Sequence, residues 1–151
     1  MIRCMGQSIL LGGDVKNGSE TWGWDRILTF LDAERPTAIF KVAHHGDPKA
    51  HQVDLWANFL TPDCICIVAP YRPSKRPRLP DLARMKSARR QIYLTASPDV
   101  IAPSDTVTNV KANARFLKNV AEAGGITGQI RVRYASGRTP VVEEIGITFR
   151  A

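Results

Sequence analysis

The sequence predicts an α/β layered fold, and three observations lead there. Residues 64–69 (Cys-Ile-Cys-Ile-Val-Ala) are a continuous apolar run between Asp63 and Pro70, the pattern of a strand buried on both faces. Two further apolar runs, residues 8–11 and 38–43, have the length of strands. Between these runs lie segments with helical spacing, and strand–helix–strand order with such apolar strands defines the α/β class. At 151 residues the chain is expected to form one domain, 1–151, burying roughly two-thirds of the surface its unfolded form exposes.

Taken in order, residues 2–5 and 8–11 flank Gly6-Gln7 and read as a short β-hairpin. Gly12-Gly13 then allows a sharp bend before Asp14. After the polar loop Lys16-Asn17-Gly18, Ser19 is the expected helix N-cap and Glu20 an acid in the first turn. Trp22, Ile27, Leu28 and Leu31 recur with helical spacing, which carries this helix to about Ala33. Pro36 punctuates it, and the strand at 38–43 follows. Residues 53–60 are again helical, stopped by Thr61-Pro62.

Beyond the buried strand, the proline-rich stretch 70–80 reads as a surface loop, 80–87 as a short helix and 91–95 as a strand. Residues 97–105 form a second loop. Val107, Val110, Ala114, Leu117, Val120 and Ala121 then make a helical stripe that stops at Gly124-Gly125. In the C-terminal part, Ile130, Val132 and Tyr134 alternate with Gln129, Arg131 and Arg133. This predicts a half-exposed antiparallel hairpin, with Ser136-Gly137 as the turn and 141–149 as the return strand.

Composition narrows the setting. No apolar run approaches the ~20 residues a membrane-spanning helix needs, so no membrane role is expected. No secretory signal is evident at the N-terminus. Three cysteines cannot build a disulfide framework, and Cys64 and Cys66, two apart in a strand, are expected on one face as core residues. A reducing, cytoplasmic location fits best. The net charge of +7 is unevenly spread. Arg72, Lys75, Arg76, Arg78, Arg84, Lys86, Arg89 and Arg90 are opposed only by Asp81 within their own segment. That cluster reads either as a phosphate-binding surface for nucleic acid or as a solvated loop and helix face. The row Lys111, Arg115 and Lys118 reads as an ordinary exposed helix face.

The chemistry-bearing residues sit at two strand ends. The run 38–43 exits into His44-His45-Gly46, and the run 8–11 exits into Gly12-Gly13-Asp14. An imidazole pair and a carboxylate at neighbouring sheet edges have the donor types of a metal site. Taken singly, Asp14 reads equally as a turn residue, and His44 or His45 as a structural histidine. His51 reads as a solvated loop residue within reach of a substrate, and Asp47 and Lys49 as loop polarity. Trp22 and Trp24 read as packing or rim residues.

Together the motifs Leu10-Leu11-Gly12-Gly13-Asp14-Val15 and Phe40-Lys41-Val42-Ala43-His44-His45-Gly46 resemble the second half of the metallo-β-lactamase-fold hydrolases. The nearest branch is the one containing the DNA-uptake competence proteins. The resemblance covers residues 1–70; residues 71–151 carry no assignable motif. It implies the C-terminal half of an αββα sandwich with two metal ions, usually zinc, between its halves. Asp14 would bridge both ions and His45 would bind one, with His44 as a further candidate ligand. A metal-held hydroxide would then attack a phosphoester or other ester-like bond. Arg72, Lys75, Arg76 and Arg78 would be placed to hold an anionic substrate.

The family's His-x-His-x-Asp-His cluster is absent, since this chain has only His44, His45 and His51. The chain alone is therefore not expected to be a working hydrolase. It reads as the C-terminal portion of a longer enzyme, one subunit of a split enzyme, or a degenerate relative that keeps the fold. The alternative function is a non-catalytic interaction or nucleic-acid-binding module. Half a sandwich leaves an apolar sheet face open, so a homo-oligomer or a partner chain is expected to cover it.

Overall fold

The structure is a computed structural model and describes residues 1–4, 6–88, 90–96, 128–133, 139–146 and 148–150. The expected loop at 97–105, the helical stripe at 107–121 and the Ser136-Gly137 turn lie outside the described residues.

Strands β1 (Ile2–Cys4) and β2 (Gln7–Leu11) pair antiparallel, as the hairpin pattern predicts. Next come helix α1 (Gly23–Leu28), strand β3 (Thr37–Lys41), helix α2 (Val53–Asn58) and strand β4 (Leu60–Val68). Helix α3 (Leu79–Ser87) and strand β5 (Gln91–Leu94) follow. The C-terminal part contributes β6 (Gly128–Arg133), β7 (Val141–Gly146) and the short β8 (Phe149–Arg150). One sheet has the order β1-β2-β3-β4-β5-β8, with β2 to β5 mutually parallel and the outer strands antiparallel. Strands β6 and β7 form a separate antiparallel pair. Along β6, Ile130 and Val132 are half-buried while Gln129, Arg131 and Arg133 are exposed, so the predicted alternation holds. Beyond β7 the chain rejoins the main sheet through β8, which pairs with β5.

The core follows from register. Leu10, Phe40, Cys66 and Ile92 are successive partners across four parallel strands, and all four are buried. Trp24 of α1, Leu55 and Trp56 of α2, and Leu82 and Met85 of α3 join the same core cluster, so the three helices cover one sheet face. Phe40 lies edge-on to Trp24 at 6.1 Å and to Trp56 at 5.6 Å, contacts worth about 1 kcal/mol each beyond their burial. The opposite face carries Ile9, Ile39, Ile65, Ile67 and Tyr93. Here Ile39, Ile65 and Tyr93 are buried, Ile9 and Ile67 half-buried, and Leu11 exposed. Cys64 and Cys66 are buried with their sulfurs 3.9 Å apart, on the shared face that their spacing predicts. No described helix is long and apolar enough to cross a membrane.

Three element boundaries depart from expectation. Ser19 is not a cap; it exchanges both backbone hydrogen bonds with Trp22, and α1 starts only at Gly23. Glu20 therefore lies in a turn outside the helix, and Trp22 is exposed instead of joining the apolar stripe. Past Leu28 the helix tightens into i→i−3 bonds, Phe30 to Ile27 and Leu31 to Leu28. Thr61-Pro62 does not merely stop α2. It lies inside β4, where the register jumps from Thr37–Leu60 to Ile39–Ile65 and leaves Pro62 and Asp63 exposed.

Candidate active site

The two chemistry-bearing motifs meet because β2 and β3 are adjacent parallel strands, which brings their C-terminal ends together. Gly12 N–H donates to Lys41 O (2.9 Å), extending the ladder one residue past β2. At Gly12 a Cβ would stand 2.7 Å from the backbone nitrogen and Cα of Ala43, so only glycine lets the strand ends close up. The chain then turns at Gly13 (φ +51°), Val15 N–H bonds back to Gly12 O, and Asp14 is presented to solvent at the tip.

Opposite it, His44 (φ 45°), His45 (φ 59°) and Gly46 (φ 79°) form three consecutive left-handed residues. A left-handed backbone costs a non-glycine residue roughly 1–2 kcal/mol, so two consecutive histidines in this conformation carry backbone strain. The turn is pinned to the first motif by His44 N–H donating to Gly13 O at 2.8 Å.

Within it, His45 Nδ1 lies 2.8 Å from the carbonyl oxygen of Ala69. A carbonyl only accepts, so Nδ1 is the donor, and the neutral ring in this orientation has its lone pair on Nε2, the tautomer of a metal-binding imidazole. The Tyr71 ring stacks on His45 at 4.8 Å and 18°. His44 Nδ1 is buried with no hydrogen-bond partner among the described residues.

Asp14, His44, His45, Asp47, Tyr71, Ser74 and Arg76 line one cleft of about 410 Å³. Thus both histidines and the carboxylate singled out in the sequence share a cavity. Lys41, at the end of β3, belongs to the second motif but carries no role in the sequence reading. Burial pulls its ammonium below the usual lysine range, while the Asp14 charge works the other way.

The basic segment is largely consumed internally. Arg76 reaches Asp47 at 3.0 Å and Asp81 at 2.7 Å, and Arg84 reaches Asp81 at 3.2 Å and Gly46 O at 2.9 Å. Burial would raise the Asp81 carboxyl, but the Arg78 N–H and the Arg76 and Arg84 guanidinium groups outweigh it and hold the pKa below the ordinary value. Arg90 spends its guanidinium on Trp56 O, Leu60 O and Pro62 O, closing the end of α2 onto β4. Lys75, Arg78 and Lys86 are exposed, and of the described side chains in the segment only Arg76 lines the cleft among the basic ones. Arg72 falls in a short 3-10 turn, Arg72–Ser74, and is not among the residues lining the cleft.

His51 lies apart from the cleft and is not the solvated loop residue the sequence suggests. It is half-buried, stacked on Trp56 at 4.9 Å and 28°. Burial, aided by the Arg84 charge, lowers its pKa to about 4. It therefore joins the packing of α2 and leaves His44 and His45 as the imidazoles of the cleft.

Among the described residues no group of three or more His, Cys, Asp or Glu side chains stands close enough together to hold a metal ion. Asp14 and His45 thus do not by themselves fit a two-zinc centre, which needs further donors. No family model, curated protein or solved structure matches this chain.

Proposed function

We propose that the chain is the C-terminal portion of a metal-dependent hydrolase with the αββα metallo-β-lactamase architecture, acting on a phosphoester or other ester-like bond. In this reading Asp14 and His45 are two donors to a zinc pair, and His44 flanks them. The remaining donors, a histidine-rich cluster, come from outside residues 1–151, because His51 is spent in packing. The supporting observation is that Asp14 and His45 border one cleft, with Ala69 O accepting from His45 Nδ1 and so orienting the ring. The Ile9 and Ile67 side of the sheet is where the other half of the sandwich, or a second copy of the chain, would pack.

Cobalt(II) titration followed by NMR tests the reading. Broadening centred on Asp14 and His45, lost in Asp14→Ala and His45→Ala, is the expected result. Unchanged broadening in both variants, or none in the folded parent chain, would sink it.

A second reading is a non-catalytic interaction module, and the incomplete donor set among the described residues favours it. Its nucleic-acid form rests on Lys75, Arg78 and Lys86, the exposed part of the basic segment. Oligonucleotide binding that weakens steeply with salt and is lost on neutralising these three would support that form.

A further inference from the structure

Between the start of α2 and the end of α3 lies a pocket of about 270 Å³ that shares no wall residue with the Asp14–His45 cleft. Its polar wall is His51, Arg84, Ser87 and Arg90, and its apolar wall includes Val53 and Trp56. Among the described residues no Asp or Glu lines it, and Asp54, the acid of α2, stands outside the lining. Two guanidinium groups bordering one carboxylate-free pocket are the arrangement that recognises oxyanions.

The charges around this pocket do not balance. Asp47 and Asp81 answer Arg76 and Arg84, one acid for each guanidinium. Arg90 is half-buried and makes no ion pair among the described residues; its bonds go to the carbonyls of Trp56, Leu60 and Pro62. A half-buried charge without a counter-ion is unfavourable, and an anion in the pocket supplies one. Donors are also left over. A guanidinium carries five N–H groups. Arg84 commits two of them, to Asp81 and Gly46 O, and Arg90 commits three. The Nε–H of both is buried without a partner among the described residues. The positive field reaches the His51 ring, where the Arg84 charge adds to burial in lowering the pKa to about 4.

We propose that the pocket between His51, Arg84, Ser87 and Arg90 binds a phosphate group. A phosphate is favoured over a carboxylate because it carries a charge of about −1.5 to −2 at pH 7 and has more oxygens to accept from two guanidinium groups at once. The proposal goes beyond the reading of Asp14 and His45 and stands or falls without it. Free inorganic phosphate and a terminal phosphate of nucleic acid present the same anion, and competition between the two separates them.

NMR signals of the arginine Nε–H groups and histidine rings report the pocket directly during titration with inorganic phosphate at neutral pH and constant ionic strength. Saturable shifts of Arg84, Arg90 and His51 are the expected result, with His44 and His45 unmoved and no response to chloride. Ser87→Glu places a carboxylate in the pocket, whereas Ser87→Gln fills the same space without charge. Ser87 is exposed at the end of α3, so both variants should fold. Phosphate affinity should fall by about tenfold or more from the Gln to the Glu variant. Equal affinity in the two variants, or shifts that stay linear in phosphate and are matched by chloride, would overturn the proposal. So would shifts confined to His44 and His45, which would bring phosphate to the cleft instead. A 5′-phosphorylated dinucleotide that saturates the same signals at lower concentration than phosphate would support the site and assign it to nucleic-acid ends. A weaker response than phosphate would support it as a site for the free ion.

Discussion

Gly12 packs so tightly on Ala43 that a single methyl group added to it would stand 2.7 Å from the Ala43 backbone nitrogen. This contact joins the two strand ends and lets His44 N–H reach Gly13 O. Backbone, unlike a flexible side chain, cannot step aside. Gly12→Ala is therefore expected to cost about 2–3 kcal/mol in denaturant unfolding and to abolish cobalt broadening at Asp14 and His45 together. A variant as stable as the parent would show that the two strand ends do not need this close approach.

His44→Gly should stabilise the protein. It removes a left-handed strain of roughly 1 kcal/mol and a buried imidazole nitrogen without a partner, against the extra freedom glycine gives the unfolded chain. A net gain of about 1 kcal/mol in unfolding free energy, read as a higher urea midpoint, is expected. A stability loss of that size would mean the His44 ring makes a contact that matters to folding, and the case for a functional histidine would weaken.

Asp81 ties α3 to the cleft loop, pairing with Arg76 and Arg84 while these hold Asp47 and Gly46 O. Asp81→Asn leaves those guanidinium groups short of a counter-charge and is expected to cost about 3 kcal/mol. Its folded pKa is depressed. The stabilisation is thus fully present above the unfolded carboxyl value of about 3.9 and is lost as pH falls below it through the folded value. Acid unfolding curves of the parent and Asp81→Asn should therefore converge at low pH; a constant gap would refute the assignment.

His51 acts in a different window. Its folded pKa of about 4 lies below the unfolded value of about 6.5, so the unfolded chain takes up a proton that the folded one refuses. Stability should fall on the order of 2–3 kcal/mol as pH drops from 6.5 towards 4, then level for this group. His51→Gln is expected to flatten that slope. Chemical denaturation between pH 4 and 7 reads it directly, and an unchanged slope would place the titrating group elsewhere.

The layered class, the opening hairpin, the buried strand at 64–68 and the C-terminal pair were legible because each rests on a period of apolar residues within one segment. Asp14, His44 and His45 were legible because glycine next to a strand end marks a turn that presents side chains. The start of α1 was misread. Ser19 has the chemistry of a cap, but its backbone bonds with Trp22 and the Asp25–Gln52 anchor won the competition for that turn. The role of Arg76, Arg84 and Arg90 was hidden for a similar reason. Two of these partners, Gly46 O for Arg84 and Trp56 O for Arg90, lie 38 and 34 residues away, so a charge cluster in sequence became a set of internal braces.

By itself, then, the sequence determined which segments bury an apolar face and which residues stand at the strand exits, since hydrophobic spacing and turn chemistry act over a few residues. Only the tertiary structure decided that Asp14 and the histidine pair border one cleft, that Ala69 orients the His45 ring and that Trp22 faces water. Parallel pairing and side-chain hydrogen bonds join positions dozens of residues apart, and no local pattern encodes which distant carbonyl or carboxylate a side chain will meet.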